Sequence, residues 1–217
     1  MTKTNTRRLV ESAILIAVGT VLSLFKPIDL PIGGGITICA MAPMLLLSYR
    51  WGMKWGFFSS FVFGLLQLII GVATNSFGLE LWATIAMLLI DYLAAYTMLG
   101  FGGLFRNKIK NPVGALLAGG AVGVIARYLC HIASGAIFFG TWAEWFFTEG
   151  DGIAMGGWVL SNFSGWGLSI VYSSVFNGVL MIGELVLTLI GLAVIGAIPL
   201  FNKKMGGTKK ETAPLEA

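Results

Sequence analysis

Charge is scarce in this sequence: only 11% of its 217 residues are Asp, Glu, Lys or Arg, where soluble domains carry about 25%. A water-covered surface cannot be built from so few charges, so a soluble globular fold is excluded. Histidine occurs once and cysteine twice. Cys39 and Cys130 stand apart in apolar runs without C-x-x-C spacing, so no zinc set can be assembled, and neither a metal nor a cofactor is expected. A G-x-x-x-x-G-K-[ST] phosphate loop is missing. The chain therefore cannot hydrolyse nucleotide through a P-loop, and ATP-driven work would need another subunit. The apolar run that follows Arg8 ends in Leu24, Phe25, Lys26 and Pro27, with no small-x-small cleavage site, so it reads as a first span instead of a signal peptide.

Apolar residues are abundant, at 57% of the chain, with a mean hydropathy of +0.87. Runs long enough to cross a bilayer, about 17 to 25 residues, predict six spans at 8–25, 32–49, 52–72, 81–105, 112–140 and 168–201. The expected fold is an all-α integral membrane protein, a single domain over 1–217 built as a bundle of six transmembrane helices, with a short basic tail from 202. No polar stretch is longer than 141–169, which leaves no separate soluble domain.

The net charge of +4 and pI of about 9.2 do not mark a nucleic-acid binder, because the basic residues flank apolar runs instead of forming a patch. Lys3, Arg7 and Arg8, then Arg50 and Lys54, then Arg106, Lys108 and Lys110, then Lys203, Lys204, Lys209 and Lys210 fall on one side of a six-span topology. The alternating loops, around Asn75 and over 141–167, carry no basic residue. The positive-inside rule then predicts that both termini are cytoplasmic.

Polar groups inside the spans are the first functional candidates, because lipid penalises them unless they pair or face a cavity. At 1.5 Å per residue, Asp91 on the fourth span, His131 on the fifth and Asn177 on the sixth all lie about 14 to 15 Å below the outer surface. For any one of them a structural hydrogen bond is the alternative, and helix rotation is not fixed by depth. Tyr92 follows Asp91, Arg127 shares a helix face with His131, and Tyr172 stands above Asn177. Glu184 lies deeper and is expected outside this site. Glu11 is expected to pair with Arg7 or Arg8, one helical turn away. Trp142, Trp145, Trp158 and Trp166 populate the last outer loop, as interfacial anchors or as a lid over a flat or cationic ligand. Ala13 and Ala17 form a small-xxx-small pair that serves packing or partner docking.

Short motifs exclude some classes. Ser134 and Ser164 precede glycines, but His131 precedes both, the reverse of the order in rhomboid-type proteases. Nothing in the sequence insists on a channel, and no inverted repeat marks a secondary transporter.

Several motifs together resemble the thiamine-specific S component of energy-coupling factor (ECF) transporters. They are Leu30-Pro-Ile-Gly-Gly-Gly-Ile-Thr-Ile, Met41-Ala-Pro, Tyr49-Arg-Trp-Gly, Asp91-Tyr92, Arg127-Tyr-Leu-Cys-His-Ile-Ala-Ser-Gly135 and Tyr172-Ser-Ser-Val-Phe-Asn177. The resemblance implies a non-enzymatic transport subunit that binds thiamine from outside and docks on a transmembrane coupling protein with two ATPases. It implies a site of Asp91, Tyr92, His131, Gly135, Phe139, Tyr172 and Asn177, and docking through Ala13 and Ala17. Asp91 stands where the family usually has glutamate, and Phe139 where it has a stacking tryptophan. Thiamine, with its cationic thiazolium and flat aminopyrimidine, suits an acid, aromatic faces and hydrogen-bonding groups. Riboflavin or a thiamine pyrimidine is the alternative ligand for such a subunit, and a small secondary transporter the alternative class.

Overall fold

The computed structural model describes residues 3–29, 35–74 and 78–199. The glycine turn at 30–34, the loop at Asn75 and the basic tail with Lys203, Lys204, Lys209 and Lys210 lie outside the described residues. The chain is almost wholly helical. Helices α1 (Lys3–Leu24), α2 (Ala42–Trp51) and α3 (Met53–Thr74) come first. The rod α4 (Leu81–Gly103), then α5 (Pro112–Phe139), α6 (Ala143–Thr148), α7 (Ile153–Asn162) and α8 (Gly165–Ala197) complete the chain. Among the described residues, four helical stretches are long and apolar enough to cross a membrane: Met53–Ala73, Leu81–Gly103, Pro112–Thr148 and Gly165–Ala197. The protein is an all-α, multi-pass membrane protein.

The first two expected spans take other forms. α1 has the length to cross, 22 residues, but Lys3, Arg7, Arg8 and Glu11 fall in its first half. Where one span was expected over 32–49, strand β2 (Gly35–Ile36) pairs antiparallel with β1 (Ile28–Asp29), Cys39 adopts a positive φ of 58°, and α2 then runs for only 10 residues. Pro43 sits in the first turn of α2. It starts the helix instead of interrupting it, because proline lacks only an N–H that the first turn leaves unpaired anyway. Irregular backbone within a membrane protein is tolerated where it is enclosed or lines a cavity, and Gly35, Thr37 and Ala40 of this segment do line one.

Short α2 is the centre of the molecule. Met44, Leu45 and Leu47 are fully buried and pack with Met41, Phe63 and Leu99. The outer faces of the long helices are apolar too, as lipid requires: Ile182 and Val194 of α8 are more than 60% exposed. α5 and α8 pack along one another, and Asn111 caps α5 by accepting from the Val113 and Gly114 amides at 3.0 and 3.4 Å. The stretch 141–167, expected as a loop, holds two short helices, α6 and α7. Phe146 and Phe147 of α6 bury against Val159 of α7 and Tyr172 of α8.

Glu11 has a wider role than an intrahelical pair. It accepts from Arg7 at 2.9 Å, from Arg50 through two nitrogens, and from Trp51 Nε1 at 3.1 Å, which ties α1 to the end of α2. Arg8 does not join it. Its guanidinium lies 4.1 Å from the Trp55 ring, and Trp55 Nε1 donates to Ser12 at 2.8 Å. Glu11→Ala removes the carboxylate that Arg50 and Trp51 share, a loss of about 1–3 kcal/mol. A thermal midpoint in detergent lower by about 2–12 °C is expected, against little change for Arg7→Ala at the exposed end of the cluster.

Candidate functional site

A cavity of about 860 Å³ lies among α3, α4, α5, α6 and α8 and the extended segment before α2. Its walls include Asp91, Tyr92, His131, Gly135, Phe139, Tyr172 and Asn177. All seven residues singled out in the sequence meet there, from three helices.

Asp91 and Tyr92 belong to a π-helical turn, Leu89–Ala94, within α4. Such turns widen a helix locally and concentrate at functional sites. Here consecutive residues both reach the cavity. One oxygen of Asp91 lies 2.8 Å from His131 Nδ1, and the other accepts from Ser134 Oγ at 2.7 Å. On the far side of the imidazole, Arg127 Nε donates to His131 Nε2 at 3.2 Å. A nitrogen that accepts from a guanidinium holds no proton, so His131 is neutral, with its proton on Nδ1 directed at Asp91. Arg127 also lies over the Tyr96 ring at 4.0 Å. The carboxylate is therefore oriented by α5 before any ligand arrives.

Asn177 is fixed through its amide nitrogen, which donates to Ser173 O at 3.0 Å and Ser173 Oγ at 3.2 Å. Ser173 Oγ in turn donates to Ile132 O at 2.9 Å. With its nitrogen committed, the Asn177 carbonyl is the group left to accept from a ligand. Gly135 works by closeness: a Cβ there would sit 2.2 Å from Ser173 Oγ, so only glycine lets α5 and α8 approach at this level. Gly71 of α3 does the same for Tyr92, whose hydroxyl would lie 2.3 Å from an added Cβ.

Aromatic rings gather at the end of the cavity next to α6. Tyr172 meets Phe146 edge to face at 5.2 Å, and Phe176 at 5.9 Å. Phe139 joins this group. Trp142 and Trp145 line the cavity and meet each other at 5.9 Å, whereas Trp158 and Trp166 point away and are more than 60% exposed. Only the first pair is placed to cover a ligand.

Gln67, Tyr96 and Glu184 line the cavity and escaped the sequence reading of the site, as did Ser134, which holds Asp91 without lining it. Gln67, on α3, is 6% exposed. Its amide nitrogen has no partner among the described residues. The signal that found Asp91, a polar group deep in an apolar run, would have found Gln67 as well. Glu184 was expected outside the site and instead lines the cavity. Seven residues beyond Asn177, it lies almost two turns along α8 and so returns to the same face.

The arrangement offers one carboxylate poised by α5, a carbonyl acceptor opposite it, and a cluster of rings. It suits a flat, cationic molecule with amino and hydroxyl groups.

Comparison with known proteins points the same way. The model of the family described as thiamine transporter protein matches residues 9–148. The thiamine transporter ThiT of Bacillus subtilis (strain 168) is 31% identical over 147 residues, 63% of this chain and 72% of that protein. A solved structure of ThiT from Listeria monocytogenes superposes with a TM-score of 0.64 at 24% identity, covering 94% of this chain and 99% of that one.

Proposed function

Because this chain belongs to the family of thiamine transporter proteins, we propose that its cavity binds thiamine from outside the cell, as the substrate-specific subunit of an ECF-type, ATP-driven uptake system. The observation that carries this reading is the pairing of an oriented carboxylate, Asp91, with an aromatic cluster in one cavity. The thiazolium cation lies near Asp91. The aminopyrimidine stacks among Phe139, Phe146 and Tyr172, its amino group donating to the Asn177 carbonyl.

The protein is a transport subunit, not an enzyme. The power stroke comes from a transmembrane coupling protein and two ATPases, which dock on α1 around Ala13 and Ala17. Six crossings with both termini in the cytoplasm of a bacterium account for the basic residues, with α1 as the first crossing and the β-hairpin plus α2 as the second.

The test is a titration of the purified chain with thiamine, followed by tryptophan fluorescence and calorimetry. Trp142 and Trp145 line the cavity, so a saturable one-to-one quench is expected, and it should largely vanish when both are replaced by phenylalanine while the calorimetric heat remains. Absence of both quench and heat at micromolar protein would remove thiamine as the ligand. Riboflavin and the free aminopyrimidine in the same panel separate the alternative ligands.

A further inference from the structure

Of the arginines around Glu11, Arg8 is the one that it does not hold. Glu11 is the only acid in α1, α2 and α3, and its oxygens accept from Arg7, Arg50 and Trp51. Arg8 has instead a long hydrogen bond from Nη2 to Asn5 Oδ1, at 3.4 Å, and the face of the Trp55 ring, 4.1 Å from its centroid. Its Nε is buried and has no acceptor among the described residues. Stacking leaves the edge of a guanidinium, where its N–H groups lie, free for another partner. The stack itself is pinned: Trp55 Nε1 donates to Ser12 Oγ at 2.8 Å, and Ser12 Oγ donates to Arg8 O at 2.7 Å. A cation with donors to spare is thus fixed in the groove between α1 and α3 before anything binds.

Lys54, next to Trp55, supplies a second cation. It is exposed in the first turn of α3 and makes no ion pair among the described residues. It also heads a single face of that helix. Phe58, Phe61, Leu65, Ile69 and Val72 follow at intervals of three or four residues and are 38–62% exposed. They cover about 21 Å of helix, most of a hydrocarbon core about 30 Å thick. The rings of Trp55 and Phe58, 5.2 Å apart, join the cationic end to this apolar stripe. Arg7, Arg8, Arg50 and Lys54 stand at that end against Glu11 alone, and Arg50 is within electrostatic reach of Arg106 as well. The field there is positive.

What fits is a molecule with an anion at one end and hydrocarbon beneath it. A soluble phosphate would use the cations and leave the stripe untouched, and a zwitterionic phospholipid brings a cation of its own into a positive field. The face that carries Ala13 and Ala17 is a different one: Arg8 and Ser12 turn to Trp55, whereas Val10, Ala13, Ile14 and Ala17 are exposed. We propose that the groove between α1 and α3 binds one anionic phospholipid, with its phosphate held by Arg8 and Lys54 and an acyl chain laid along Phe58, Phe61 and Leu65. Arginine suits the task because its planar fork grips a phosphate through two N–H groups at once. The site is independent of what the cavity binds.

The experiment follows lipid retention by the purified full chain in neutral detergent, using native mass spectrometry. The titrants are phosphatidylglycerol, phosphatidylcholine with the same acyl chains, and glycerol phosphate, which is the headgroup without chains. One phosphatidylglycerol should bind per chain, at least about fivefold more tightly than phosphatidylcholine, since each basic residue beside an anionic headgroup is worth a factor of about five. Glycerol phosphate should bind too weakly to be retained. Arg8→Gln and Lys54→Gln should each weaken phosphatidylglycerol binding by about fivefold, and together by about 25-fold. The double variant Lys108→Gln, Lys110→Gln removes as much charge from two other exposed positions and should stay within about twofold. Lys54 has no partner to lose among the described residues, so Lys54→Gln reports on the lipid even where Arg8→Gln loosens the stack on Trp55. Equal retention of the two phospholipids overturns the proposal, as does glycerol phosphate bound as tightly as phosphatidylglycerol. An unchanged affinity in Lys54→Gln overturns it too. So does a loss in the Lys108 and Lys110 variant as large as that in the Arg8 and Lys54 one, because the attraction would then belong to the basic residues at large.

Discussion

Asp91→Asn is expected to weaken thiamine binding by about 100-fold while leaving the fold intact. Removing one member of a buried charge pair costs about 2–5 kcal/mol, and each 1.4 kcal/mol is a factor of about ten in affinity. The substitution is a clean one because the amide retains the hydrogen bonds that hold α4 to α5. Its oxygen can accept from His131 Nδ1, now 2.8 Å from the carboxylate, and its nitrogen can donate to Ser134 Oγ, now at 2.7 Å. Only the negative charge goes. A purely structural Asp91 would therefore show little change in affinity with asparagine, and a counter-ion to the thiazolium would show the full loss. Calorimetry on monodisperse protein distinguishes the two; an affinity within threefold of the original would remove Asp91 as the cation's partner. His131→Ala is less diagnostic, since it strips the orienting bond from Asp91 and the acceptor from Arg127 together.

What the sequence made legible was set by how strongly lipid penalises exceptions. Asp91, His131 and Asn177 stand out as polar groups within apolar runs, and equal depth was enough to bring them to one cavity. The same logic applied to Gln67 and Glu184 but was not carried through. Glu184 was set aside because depth alone separates it from Asn177, whereas helical rotation returns it to the same wall. Rotation is fixed by packing, such as the approach of α5 to α8 at Gly135, and packing is not written in the periodicity of helices that are apolar on every face. The segment before α2 failed for another reason. Proline in an apolar run reads equally as a break or a beginning, and only the strand at Gly35–Ile36 and the turn at Cys39 decide for a beginning. The tryptophans divide similarly: four in one stretch suggested a lid, but a turn of α6 takes only Trp142 and Trp145 to the cavity.

Replacing both Ala13 and Ala17 with tryptophan is expected to abolish thiamine uptake in cells and to leave binding by the purified chain within about threefold, because a small-xxx-small surface works by letting a second helix approach closely. Both alanines are exposed on α1. They share a face with Val10, Ile14, Val18 and Val21, which are 43–58% exposed. That face makes no use of the cavity, to which α1 contributes only Ser23 and Leu24 at its C-terminal end. Glu11 meanwhile holds the N-terminal half of α1 to Arg50 and Trp51, so the face is presented on a helix already braced against α2. Two indoles there would hold a partner helix several ångströms away, yet they would project outward from the bundle without entering its core. Uptake of labelled thiamine by cells that carry the coupling protein and ATPases, together with calorimetry on the isolated variant, reads the two effects separately. Normal uptake by the double variant would sink docking through this face. Loss of binding along with uptake would show that α1 supports the cavity, and would sink the separation of docking from ligand recognition on which the prediction depends.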